Sequence, residues 1–311
     1  MRSSMRLFVF VAVVAVTALA VPTRTPAATL PPAPTPTASF QVGTLHVDAY
    51  GSGDPIVLLP DVACGAWEWY GVIPHLAATH TVYAVTPAGF AGQPPQGTPT
   101  FAGFARDLSA LLDQRHLGKV VLVGHSLGGM LAIAYGETNG SRLRGIVAID
   151  AQPIFPDTDD LNAAQRKEAA ARSASTLRLH STAQLVEYET GYMSAQGVED
   201  PQLAAAYAAL AAQSDPKTAT DWIAASLEVD LRPHLAAIPV PLEEIVPYDP
   251  SEADPHIAVH YTQAEKVAAY KALFPRVRTL RIVAIAPAKH FVMADQPEAF
   301  AAALDAFLSA R

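Results

Sequence analysis

Val120-Val121-Leu122-Val123-Gly124-His125-Ser126-Leu127-Gly128-Gly129 reads as a strand that turns sharply into a helix. The four apolar, mostly β-branched residues make a short buried strand. Past Gly129, the spacing of Met130, Leu131, Ile133, Ala134 and Tyr135 suits the packed face of a helix. Ser126 sits on the turn, with Gly124 and Gly128 flanking it in a G-x-S-x-G pattern. A serine at such a turn is held in a strained backbone conformation with its side chain raised above the sheet. A Cβ two residues before or after it would clash. The amide of Leu127 then points toward the place where an oxyanion would form, at a helix N-terminus that favours negative charge. Strand, turn and helix together point to a nucleophile rather than to an ordinary glycine-rich turn.

Working outward, Thr44 to Tyr50 alternates as a strand and Ile56 to Leu59 is a buried one ending at Pro60. Thr81 to Val85, Gly145 to Ile149, Leu242 to Val246 and Val277 to Ile285 read as further strands. Helical spacing occupies Trp67 to Ala78, Phe101 to His116, Ile257 to Phe274 and Pro297 to Leu308. Strands alternating with helices imply an α/β fold, with a mostly parallel central sheet flanked by helices. Ligands on such sheets bind at the carboxyl ends of strands, where Ser126, Asp150 and the loop after Leu59 all fall. From Ala151 to about Pro233 the β pattern stops, and helix-like patches appear at Leu161–Ser173, Thr182–Ala195, Asp200–Gln213 and Ala219–Leu231.

Gly124–Gly129 resembles the nucleophile elbow of the α/β-hydrolase family, in its branch with a helical cap. Thr86-Pro87-Ala88-Gly89-Phe90-Ala91-Gly92 is similar to that family's Asp-x-Pro-Gly-x-Gly loop with the Asp lost. The resemblance implies a core over residues 40–151, an inserted cap over 152–235 and the rest of the core over 236–311. In the family the cap roofs the active site and sets substrate size; Tyr188, Tyr192, Met193 and Trp222 are candidates for an acyl pocket or for the cap's own core. A His-Gly or Pro-Gly pair follows the Ile56–Leu59 strand in the family, and the next amide supplies the second oxyanion donor. Here the pair is Pro60-Asp61, so that donor is the backbone of Val62, beside Leu127. Asp61 stands where glycine is expected, and a carboxylate near an oxyanion is unfavourable unless it points away or is paired.

Acyl transfer by serine needs a base within hydrogen-bond reach and a carboxylate to orient that base. The run from His290 to Phe300 closely resembles the family's His loop, between the last strand and the last helix, which makes His290 the base, with a reference pKa of about 6.5. Asp249, after the strand that follows the cap, is the expected acid; Asp150 is the alternative and Asp254 a third choice. His125 is expected to pack or to make a structural hydrogen bond. Glu243 and Glu244 are out of place in a central strand, because buried carboxylates need partners. The expected activity is that of a serine hydrolase cleaving small-molecule carboxylic esters through an acyl-enzyme. Acyl transfer, amide or lactone cleavage and cofactor-free haloperoxidase chemistry are alternatives on the same triad, and a catalytically silent binding module is the alternative of another class. A serine nucleophile argues against the family members that use aspartate. Neither an HExxH pattern, nor a spaced Cys/His set, nor a G-x-G-x-x-G opening a helix occurs, so no metal and no organic cofactor are expected.

Arg2 and Arg6 precede an apolar run from Leu7 to about Val21, with Ala18-Leu19-Ala20 as a cleavage pattern. Residues 1–28 are therefore expected to be a signal peptide for export, to the periplasm or the outside medium, leaving no stable membrane anchor after cleavage. Residues 29–39 are expected to be a Pro-rich linker. The net charge of −8 over 311 residues argues against nucleic acid as a partner. Cys64 is the single cysteine, so no intrachain disulfide forms.

Overall fold

The computed structural model describes residues 29–177, 181–254 and 260–310, so the expected signal segment, residues 1–28, lies outside them. In chain order the strands are β1 (Ala38–Val42), β2 (Leu45–Gly51), β3 (Asp54–Leu59), β4 (His80–Pro87), β5 (Val120–His125), β6 (Leu143–Ile149), β7 (Leu242–Pro247) and β8 (Leu280–Ile285). The core helices are α1 (Ile73–Ala77), α2 (Phe101–Gln114) and α3 (Leu127–Asn139). Four helices, α4 (Ala163–Leu177), α5 (Thr182–Tyr192), α6 (Pro201–Ala211) and α7 (Pro216–Glu228), follow β6, and α8 (Gln263–Ala272), α9 (Val292–Asp295) and α10 (Pro297–Leu308) complete the chain.

The strands form one sheet in the order β1-β2-β4-β3-β5-β6-β7-β8. β1 and β2 run antiparallel at one edge and β3 through β8 pair in parallel. A parallel sheet is covered on both faces, so its strands are apolar throughout. Ile56, Leu58, Val121 and Val123 face one side with Phe300 and Leu304 of α10. Val57, Leu59, Val120 and Leu122 face the other with Leu108 of α2 and Leu131 of α3. All eight strand side chains are fully buried, each stabilising the fold by roughly 1.5–3 kcal/mol.

The α4–α7 insertion is stitched to the loops at the carboxyl ends of the strands. The amides of His290 and Phe291 donate to the carbonyls of Gln196 and Gly197, at 3.0 and 2.9 Å. Ser214 Oγ donates to the carbonyl of Ala63 at 2.7 Å. The cap thus holds both the loop that carries His290 and the loop after β3.

Local differences from the sequence expectations have simple causes. β1 begins at Ala38, inside the expected linker, because the amide of Thr37 and then β1 itself pair with β2. The expected Trp67–Ala78 helix is two pieces, a 3-10 turn over Ala66–Trp69 and α1, which starts with a proline in its first turn. Within the expected Ile257–Phe274 helix, α8 starts only after Thr262, whose capping box with Glu265 fixes its N-terminus; 257–259 lie outside the described residues. Glu243 pairs with its cross-strand neighbour Arg281 at 2.6 Å. Glu244 Oε1 accepts from the amide of Ala151 at 2.9 Å, and burial pushes its carboxyl well up, toward the neutral form, with Asp150 adding to the rise. Each of the two acids thus has a partner, and Glu244 buttresses the chain just past Asp150.

β3 and α3 approach so closely that a Cβ on Gly128 would stand 2.2 Å from the carbonyl oxygen of Leu59. Gly128→Ala should therefore destabilise the protein by about 2–3 kcal/mol, read from the midpoint of urea unfolding. An unchanged midpoint would contradict this packing.

Candidate active site

Ser126 stands between β5 and α3 with φ +50° and ψ −114°. For a non-glycine residue this is a strained conformation, of the kind held only where surrounding contacts enforce it. Its amide donates to the carbonyl of Ile149 at 2.8 Å, which carries the β5–β6 ladder one residue past the strand. Asp150, at the end of β6, is also in the left-handed region with φ +45°, and its amide donates to Ile245 of β7 at 2.9 Å. Two adjacent strands thus end in strained residues whose side chains rise to the same side.

His290 joins them from the loop between β8 and α9. Its Nδ1–H donates to Asp150 Oδ2 at 2.6 Å, and the other Asp150 oxygen accepts from the Tyr270 hydroxyl. Burial works to raise the Asp150 carboxyl, but His290, Lys266 and Tyr270 together hold it below its ordinary range. Asp249, the acid expected from the sequence, is elsewhere. Its carboxylate accepts from the amide of Ser251 at 2.6 Å as the cap of the short Pro250–Ala253 turn, and it is hydrogen-bonded to Glu199. The carboxylate on His290 is Asp150, because the Asp249 side chain is engaged as the cap of the turn after β7 while that of Asp150 reaches Nδ1. Asp254 merely ends the same Pro250–Ala253 turn, as its C-cap.

Asp61 is the residue whose position was not foreseen. Its Oδ1 accepts from the amide of Val62 at 2.6 Å and lies 3.4 Å from the amide of Leu127. Those are the two amides expected to hold an oxyanion, and both converge on one carboxylate oxygen. Asp61 Oδ2 lies 3.2 Å from His290 Nε2, and the Ser126 hydroxyl is hydrogen-bonded to the same carboxylate. Burial opposes ionisation of Asp61, yet the hydrogen bond and charge of His290, with His125 and Ser126, keep it below its ordinary value. The imidazole of His290 is likewise disfavoured as a cation by burial, but Asp150 and Asp61 on its two nitrogens raise it to about 10. At neutral pH the site is a carboxylate–imidazolium–carboxylate row.

A second buried pair supports this row. Glu68 and His125, both fully buried, meet at 2.6 Å through Oε1 and Nδ1. Burial raises the Glu68 carboxyl, and the neighbouring His125 opposes that rise. Glu68 Oε2 accepts from the amide of Asp61 at 2.9 Å, and His125 Nε2–H donates to the carbonyl of His290 at 3.0 Å. One internal acid–base pair therefore ties the loop after β3 to the loop of His290. The sequence signal for it was an acid between two tryptophans, Trp67-Glu68-Trp69. Asp61, His125 and His290 offer ligand atoms within 4.8 Å of one another. Both nitrogens of His125 are already engaged, so a metal there would have to break the tie to Glu68 or to the His290 carbonyl.

The remaining candidates lie in the cap. Tyr188 and Tyr192 stack at 6.3 Å, and Tyr192 meets His290 edge-on at 5.9 Å. Met193 is buried in the core cluster beneath the cap. Trp222 packs on Phe101 and Phe104 of α2. Cys64 is buried, and its thiol is pushed well up by burial and by Glu68, Asp61 and Glu189, so it is no nucleophile at neutral pH.

Known proteins agree with this architecture. The chain is 28% identical over 120 residues to a pimeloyl-[acyl-carrier protein] methyl ester esterase of Aeromonas hydrophila, covering 38% of this chain and 45% of that one. It is 34% identical over 119 residues to a 2-hydroxy-6-oxo-2,4-heptadienoate hydrolase of Pseudomonas putida, covering 36% and 43%. The matched stretch spans less than half the length of these relatives. A thermophilic esterase from Thermogutta terrifontis shares the fold with a TM-score of 0.69 at 20% identity, over 88% of this chain and 98% of its own. The enol-lactonase of Burkholderia xenovorans does so with a TM-score of 0.63 at 20% identity, over 88% and 100%. Residues 56–303 match the family model described as the alpha/beta hydrolase family. With its parallel sheet, its serine elbow and that match over most of its length, the chain belongs to the alpha/beta hydrolase family.

Proposed function

We propose that this protein is a serine hydrolase of small-molecule carboxylic esters, working through Ser126, His290 and Asp150 and an acyl-enzyme, with Asp61 as an internal occupant of its oxyanion site. The observation that carries the reading is the convergence of the Val62 and Leu127 amides on a single oxygen, beside a histidine held by a buried acid. The esterases and hydrolases among its relatives support the ester as the bond attacked. Asp61 takes the place that a carboxylic acid product would take, one oxygen on the two amides and the other on His290 Nε2. Turnover therefore begins with the ester carbonyl displacing Asp61 Oδ1. His290, once neutral, takes the Ser126 proton as the serine attacks; the two amides hold the oxyanion; and His290 returns the proton to the leaving alcohol. Water repeats the sequence and frees the acid. A second reading, a binding module silenced by its own carboxylate, is favoured by the same Asp61 contacts.

Nitrophenyl esters of rising acyl length separate the two. On the hydrolase reading, Ser126→Ala and Asp150→Asn each lose on the order of a thousandfold in kcat, while Asp249→Asn stays close to wild type. No turnover by the wild type, with turnover appearing only in Asp61→Gly, would establish the silenced module instead. Because His290 is raised to about 10 and must be neutral to act as base, wild-type kcat/KM should keep rising with pH through the alkaline range. Asp61→Asn removes one of the two anions on His290, lowers its pKa and should move that rise toward neutrality. A wild-type profile already level above pH 7, unmoved by Asp61→Asn, would contradict the row of charges.

Export is proposed as well, on Arg2, Arg6 and the apolar run from Leu7. The mass of the chain recovered outside the cytosol should correspond to a start between Ala20 and about Ala28, and an intact cytosolic chain would contradict export.

A further inference from the structure

A carboxylate that orients a histidine has two oxygens, and the histidine needs only one of them. In Asp150, Oδ2 takes the Nδ1–H of His290 at 2.6 Å, and Oδ1 accepts from the hydroxyl of Tyr270. Tyr270 is on α8, which packs against β7 and β8, and its residue is only 7% exposed. Two separate elements therefore grip the Asp150 carboxylate, the His loop on one oxygen and α8 on the other. Gln152 is hydrogen-bonded to the Tyr270 hydroxyl as well. Lys266, one turn earlier on α8, adds a positive charge that favours the Asp150 anion, while its Nζ is held 2.9 Å from Glu252. Glu244 is the other acid near Asp150, and burial keeps it toward the neutral form; burial does the same for the Tyr192 phenol. Beside His290 stand Asp61 on Nε2, the His125 ring at 4.3 Å between centroids, and Tyr192.

A carboxylate bonded at one oxygen can turn about its own axis, whereas one bonded at both is fixed in its plane. A donor on Oδ1 also draws negative charge away from Oδ2 and so weakens the pull of that oxygen on the imidazolium. We propose that Tyr270 is a positioning residue of the active site: its hydroxyl fixes the plane of the Asp150 carboxylate and takes up part of its charge, so that Asp150 orients His290 without holding its proton too tightly. The proposal rests on the hydrolase reading for its link to turnover. Tyr270 touches neither substrate nor Ser126 in this scheme, and acts only through Asp150.

The test reads nitrophenyl ester turnover beside the proton NMR signal of His290 Nδ1–H, which needs no substrate and is told apart from that of His125 by its loss in Asp150→Asn. Tyr270→Phe keeps the ring and removes the donor, so kcat should fall by about tenfold or more with KM within about twofold. Placed on Asp150→Asn, the same change should cost less than about twofold, because the group through which it acts is already gone. The Nδ1–H signal should move downfield in Tyr270→Phe, as Asp150 pulls harder on the proton. It should move upfield in Tyr270→3-fluorotyrosine, a stronger donor of nearly the same shape that serves even where Tyr270→Phe does not fold. In Asp61→Asn, adding Tyr270→Phe should move the rise of kcat/KM to higher pH, because a more basic His290 stays charged longer. An Nδ1–H signal unmoved by either change, or an equal loss from Tyr270→Phe on the wild-type and Asp150→Asn backgrounds, would reduce the tyrosine to packing and overturn the proposal; turnover by the wild type would then leave the hydrolase reading standing. A signal that moves both ways as expected, in a protein that turns over no ester, would support the hold of Tyr270 on Asp150 and remove the hydrolase reading.

Discussion

The tight crossing of β5 and α3 around Ser126 is the constraint on which the rest of the site depends. A Cβ on Gly124 would lie 2.3 Å from the carbonyl oxygen of Gly128, so the turn closes only with bare glycine. Closing it forces Ser126 to φ +50° and starts α3 at Leu127, whose amide is then unpaired within the helix and available above the sheet. The same closure brings Gly128 against the end of β3, which fixes where the Pro60–Val62 loop emerges. The neighbouring ladder continues through the amides of Ser126 and Asp150, so both residues are held by consecutive hydrogen bonds at the ends of β5 and β6.

On this frame the electrostatics are unusual in one respect. The amides of Val62 and Leu127 both meet Asp61, which completes a row of Asp61, His290 and Asp150. The row is self-consistent: each carboxylate favours the imidazolium, and the imidazolium keeps both carboxylates ionised in a buried setting that would otherwise neutralise them. The Glu68–His125 pair holds the two loops that present this row. On the proposed hydrolase reading, such a resting state adds a step in which the Asp61 carboxylate gives way to the substrate.

How much of this was legible in the sequence follows from the range of each interaction. Ser126 and its helix were readable because the elbow is local, set by two glycines within two residues. His290 was readable from its place between the last strand and the last helix. The acid was not: an aspartate follows β6 directly and another lies two residues past β7, and only the tertiary contact of His290 with Asp150 separates them, Asp249 being drawn off by Ser251 and Glu199. Glu243 and Glu244 looked anomalous because their partners, Arg281 and the amide of Ala151, lie far away in sequence. Asp61 could be marked as a departure from glycine, but its contact with His290, across 229 positions, is a tertiary fact. β1 was hidden in the Pro-rich stretch because its pairing, not its composition, makes it a strand.

The most direct test of the account is the rate at which a fluorophosphonate labels the chain at pH 7, with the labelled residue mapped, in the wild type and in Asp61→Gly. The account predicts a single label on Ser126 in both, forming at least about tenfold faster once the carboxylate no longer fills the oxyanion site. Equal rates in the two proteins, or a label on any residue but Ser126, would contradict it.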